Sequence, residues 1–235
     1  MTQPLLFIPG LMQDARAFLP QMVALGQGRS VQVFTCDAET VEKLSEQALA
    51  AAPPRFAVIG HGLGGNVALD ILRRSPERVS HLVLFSTDPL SEPPQVAASR
   101  EARMVAARAG RLKEAILEDV PETSLAEGPD RAALIMLMRD MAYGLGEGVY
   151  LRQCKALQRR PDQQKTLRKA VVPALFVAGA QDTVAPLRRQ EFARDLMPKA
   201  VLKVIQGAGH LPMLEKPEEV SSAIEAFLRS PMILR

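Results

Sequence analysis

Tryptophan is absent from this chain, aromatic residues make up only 4% of its 235 residues, and it has two cysteines and three histidines. So few aromatics argue against the base-stacking platforms of single-strand nucleic-acid binders. Lys and Arg are interleaved with Asp and Glu along 100–168, so the formal charge of +3 describes a solvated surface and no nucleic-acid footprint. Cys36 and Cys154 lie far apart and match no metal spacing, which favours reduced thiols in a cytoplasmic protein over a disulfide. The longest apolar runs, Pro173–Ala180 and Ala132–Met138, fall well short of the about 20 residues that span a bilayer, so no membrane span is expected. Met1 to Gln3 leads into a strand-like segment without a basic stretch, and no secretion signal is expected either. With no phosphate loop and no His/Asp/Glu cluster at ligand spacing, neither cofactor nor metal is implied.

The chain does have the 47% hydrophobic and 23% charged residues of a globular protein. Short apolar runs alternate with segments of helical period: strands are expected at Leu5–Ile8, Val31–Phe34, Phe56–Ile59, His81–Phe85, Ala174–Ala178 and Val201–Ile205. Helices are expected near Ala15–Leu25, Val41–Ala51, Gly64–Arg74, Pro186–Leu196 and Glu218–Leu228. This alternation predicts an α/β fold, a mostly parallel sheet of about six strands with helices on both faces. It breaks after Phe85 for about 85 residues of helical pattern, which predicts a core of 1–88 and 172–235 interrupted by a helical cap over 89–171. The centre of that insertion, Ala132–Tyr143, is apolar on most of its circumference and is expected to be covered on more than one side, by packing or as the lining of an apolar pocket.

Gly60-His61-Gly62-Leu63-Gly64-Gly65 follows one expected strand and opens a helix, and Asp88 ends the next strand. Taken alone, this matches the G-x-G-x-x-G fingerprint of dinucleotide sites. The fingerprint normally follows the first strand of its fold, however, and here a strand-helix-strand-helix stretch precedes it.

The same six residues resemble the nucleophile elbow G-H-S-L-G-G of the α/β-hydrolase superfamily, with Gly62 where the serine stands. Leu5 to Met12 resembles the strand and loop that supply an oxyanion-hole amide, with Pro9 where many members have histidine. Gly179-Ala180-Gln181-Asp182-Thr183-Val184-Ala185-Pro186 is similar to the turn carrying the triad acid, and Gly207 to Glu218 to the loop presenting the triad histidine. The resemblance is to the capped carboxylesterase-like branch. It implies a minimal sheet beginning at the family's third strand, His210 and Asp182 as base and acid, and Leu11 and Leu63 backbone N–H groups as oxyanion donors. It also implies a small-molecule substrate, an ester with an apolar portion.

Gly62 has no oxygen to attack with, and no Ser, Thr or Cys in the motif replaces it. Three readings follow: a serine hydrolase disarmed at its nucleophile, naturally or by engineering; a protein that uses His210 and Asp182 to activate water; or a non-catalytic ligand-binding or sensor protein. Asp88 is the rival acid, with a turn before Pro89 as its plainer role. Capping explains Asp14, and His61 and His81 read as structural residues.

Overall fold

The computed structural model describes residues 3–229. The expectations placed on Met1 and Thr2, and the far end of the core segment at 230–235, lie outside the described residues. Six strands form one parallel sheet: β1 (Leu5–Ile8), β2 (Val31–Val33), β3 (Phe56–His61), β4 (Val79–Phe85), β5 (Ala174–Gly179) and β6 (Ala200–Ile205), in the order β2-β1-β3-β4-β5-β6. β1, β3, β4 and β5 are buried along their whole length, as expected where helices cover both faces.

One face is packed by α2 (Val41–Ala51), α3 (Leu63–Arg74) and α8 (Leu187–Asp195), the other by α1 (Leu19–Leu25), α9 (Pro212–Glu215) and α10 (Pro217–Arg229). α10 shows the amphipathic logic plainly, since Val220 and Ile224 are buried, Phe227 and Leu228 pack beside them and Glu218 and Glu219 stay exposed. The expected first helix, Ala15–Leu25, divides into a 3₁₀ turn at Ala15–Phe18 and α1, with Pro20 in α1's first turn, and Asp14 caps the 3₁₀ turn through the Arg16 N–H.

Between β4 and β5 the described chain is helical: α4 (Pro94–Arg108), α5 (Leu112–Asp119), α6 (Arg131–Gln158) and α7 (Gln164–Lys169), with α6 broken at Gly146, where φ is 79°. Two expectations fail here. Ala132–Tyr143 is not covered on several sides: Ala132, Ala133 and Met136 face solvent, and within this stretch only Met141 and Ala142 are buried. Nor is the charge of 100–168 wholly surface charge. The side chains of Arg100 and Arg160 are only 10% and 7% exposed and lie in an ion network, because their carboxylate partners, Glu92 and Asp119, are buried with them.

Candidate functional site

Strand order reverses about β1: the chain runs from β1 outward to β2, then returns to place β3 on the other side of β1. In open parallel sheets, ligands bind in the crevice at the carboxyl ends of the strands beside such a reversal. Leu11 follows β1 and Gly62 follows β3, so the reversal brings together two segments some 50 positions apart.

Gly62 caps α3 with φ 50° and ψ −111°, angles that disfavour every residue with a Cβ. The turn is held by the Gly62 N–H donating to the Phe85 carbonyl (3.0 Å) and by the Asn66 N–H and Nδ2 donating to the Gly62 carbonyl (3.1 Å each). A Cβ at Gly62 would meet no atom within 4 Å, whereas one at Gly64 would stand 1.9 Å from the Ile8 carbonyl oxygen. Gly64 therefore lets α3 approach β1, and Gly65, the last glycine of the fingerprint, has its Cβ position 1.9 Å from Thr87 Oγ1, so packing accounts for it without a pyrophosphate.

His210 and Asp182 meet. Imidazole Nδ1 donates to the Asp182 carboxylate at 3.0 and 3.1 Å. Asp182 Oδ1 also accepts the N–H groups of Val184 and Ala185 (2.9 Å each), and Oδ2 the Ser86 hydroxyl (2.7 Å). Burial alone would raise the Asp182 pKa, but the charge and hydrogen bond of His210, with the Ala185 and Ser86 donors, outweigh it and hold the carboxyl down at about 2. An imidazole oriented in this way leaves Nε2 free to take a proton.

The loop around His210 is clamped by Glu215, whose carboxylate accepts N–H groups from Ala126, Gly209 and Leu211 (2.8 to 2.9 Å), while the His210 N–H donates to the Ser124 carbonyl (2.8 Å). Gly209 leaves no room for a side chain there, since a Cβ would lie 2.1 Å from that same carbonyl oxygen. His61 donates from Nε2 to the His210 carbonyl (3.1 Å), and its buried Nδ1 has no partner among the described residues. Burial, reinforced by the neighbouring charge of His210, pushes the His61 pKa down to about 3, so it is a neutral spacer.

Leu11, Gly62, Leu63, Ser86 and His210 line one cavity of about 420 Å³. Leu63 is the first residue of α3, where backbone N–H groups have no intrahelical partner, and no acceptor for the Leu11 N–H is found among the described residues. The loop bearing Leu11 is braced by Gln13, which accepts the Gly10 N–H (3.0 Å), and by Gln153 of α6, which accepts the Met12 N–H (2.7 Å).

Asp88 is not the partner of His210: its Oδ1 accepts the Leu90 N–H in a turn and its Oδ2 pairs with Arg189 at 2.6 Å. His81 packs edge-on against Phe227. Both cysteines are free and buried, and burial raises each thiol pKa to about 12. Among the described residues no His/Cys/Asp/Glu group could hold a metal ion, and no helix is long and apolar enough to cross a membrane.

Sequence reasoning did not find Ser86, Glu215 or the arginines of the cavity wall. Ser86 directly follows β4, on the edge where sites form, and that position was its one available signal.

A parallel α/β sheet with an elbow at the reversal and a histidine–carboxylate pair beside it defines a hydrolase-type architecture. The chain belongs to the alpha/beta hydrolase family, whose model matches residues 5–223. Among its relatives are the pimeloyl-[acyl-carrier protein] methyl ester esterase of Aromatoleum aromaticum, 29% identical over 81% of this chain and 80% of that protein, and the biotin biosynthesis bifunctional protein BioHC of Teredinibacter turnerae, 25% identical over 96% of this chain. The chain spans only 44% of the length of BioHC. Similar solved structures include a malate-bound thermophilic esterase from Thermogutta terrifontis (TM-score 0.87, 23% identity, 97% of this chain and 90% of that one) and the enol-lactonase of Burkholderia xenovorans LB400 (TM-score 0.83, 19% identity, 98% and 93%).

Proposed function

We propose that this chain carries a carboxylic ester site of the serine-hydrolase type from which the attacking hydroxyl is missing, with 89–171 as its cap. The observation that carries the reading is His210, hydrogen-bonded to Asp182 at 3.0 Å and lining one cavity with an elbow whose Cβ position is open. The N–H groups of Leu11 and Leu63 would hold the carbonyl oxygen of a bound ester, and being main-chain donors they do not depend on residue 62. His210 would accept the proton of an attacking group and return it to the leaving alcohol, while Asp182 holds its tautomer. With Gly62 the ester binds and turns over slowly at most.

Relatives carrying esterase names support ester chemistry in the lineage. The test is Gly62→Ser, assayed on p-nitrophenyl esters of short to medium chain length. Loss of a nucleophile alone costs a comparable triad about a millionfold in kcat, so a rise of at least about a thousandfold is expected. No rise would overturn the reading. Brisk turnover by the unaltered chain, abolished by His210→Ala, would show instead that His210 drives water into the open space.

A further inference from the structure

Three arginines and two carboxylates of the cavity wall form one network. Arg100 pairs with Glu92 through Nε and Nη2 (3.0 and 2.9 Å) and with Asp119 through Nη1 (2.9 Å), and Arg160 pairs with the same Glu92 (2.7 Å). Arg103 reaches only the Asp119 oxygen already taken by Arg100 (3.0 Å), and its buried Nε has no partner among the described residues. The arginine side chains are 7 to 14% exposed and the carboxylates 1 and 4%. Tyr150 also donates to Asp119 (2.6 Å) but brings no charge.

The nearest further carboxylate, Asp88, is 3.9 Å from Arg160 and committed to Arg189 at 2.6 Å. Arg188 and Glu118, both exposed, line the same cavity and cancel in charge. One positive charge is therefore held largely out of water without a counter-charge. Burying such a charge is costly unless it is paired, and a guanidinium presents a planar fork of donors that fits a carboxylate.

We infer that this place takes an anionic group of the ligand, so that the chain selects esters bearing a carboxylate, with Arg103 as its anchor. A carboxylate suits the site better than a phosphate because one charge is missing, whereas a phosphate monoester brings nearly two. The inference rests on the ester-site reading for the other end of the ligand. It adds a charged group to the apolar portion expected from the sequence, since Leu11, Leu63, Val96, Val120 and Leu157 line the same cavity although Leu134 to Met138 do not.

Isothermal titration of the unaltered chain at pH 7 with monomethyl adipate, a carboxylate, and dimethyl adipate, its neutral counterpart, tests this. The half-ester is expected to bind at least tenfold more tightly than the diester. Arg103→Gln should remove that preference by weakening the half-ester alone. If Arg103→Gln does not fold, Arg103→Lys, which keeps the charge but loses the fork, is expected to weaken the half-ester severalfold. Equal binding of the two probes, binding of neither, or a preference untouched by the Arg103 variants would overturn the inference. So would a preference that vanishes with Arg188→Gln, which would move the anion to the exposed arginine. The two readings fail separately. Hydrolysis of p-nitrophenyl acetate by Gly62→Ser without any half-ester preference would leave the ester site standing and sink the anion site; an Arg103-dependent preference without hydrolysis would do the reverse.

Discussion

A serine at position 62 meets open space but inherits φ 50° and ψ −111°, and such angles cost a residue with a Cβ on the order of 1–3 kcal/mol. Gly62→Ser is therefore expected to lower unfolding stability in urea by about that amount while, on the proposed reading, raising esterase activity, the trade expected when a strained reactive residue is introduced. Ser86, at φ 44°, is strained as well, and its hydroxyl holds Asp182. In the Gly62→Ser background, Ser86→Ala should lower kcat about tenfold, because it removes a hydrogen bond from the carboxylate behind the histidine. His61 is a third residue with a measurable signature. Its pKa is near 3 when folded against 6.5 ordinarily, so the unfolded chain takes up a proton below pH 6.5 that the folded chain refuses. Stability should fall as pH drops from 6.5 towards 3, by up to about 1.4 kcal/mol per pH unit from this residue. Urea titrations of the unaltered chain and His61→Gln at pH 7 and 5 would show the shallower slope in the variant.

At the scale of elements, the strands and the amphipathic helices were legible because their hydrophobic period is a local property. Val41–Ala51 and Leu5–Ile8 fall where the sequence places them, and the ends of β3 and β4 differ by two residues. The segment Ala132–Tyr143 was misread because an apolar stretch reports only what should be covered, and coverage depends on distant helices. Glu215 was missed for a related reason: nothing local shows that its carboxylate gathers N–H groups from Ala126, Gly209 and Leu211, the first of them 89 positions away. Its role is testable. Glu215→Ala leaves three N–H groups without this acceptor and should destabilise the protein by about 2–4 kcal/mol in urea. Glu215→Gln, which keeps one acceptor oxygen, should cost less.

Across the whole molecule, the sheet reversal and the order of elbow, acid and histidine make the site. Gly62, Asp182 and His210 were legible as a set because each follows a strand and all strands point one way. The charged cavity wall was not, since interleaved Arg and Glu look alike whether they face water or one another. The central claim, a complete hydrolytic site around an empty attacking position, is tested most directly by intact-mass analysis after exposure to a fluorophosphonate. Gly62→Ser is expected to gain one phosphonyl group, mapped to position 62 and slowed severely by His210→Ala, while the unaltered chain gains none at that position. A variant that stays unlabelled while folded would contradict the account.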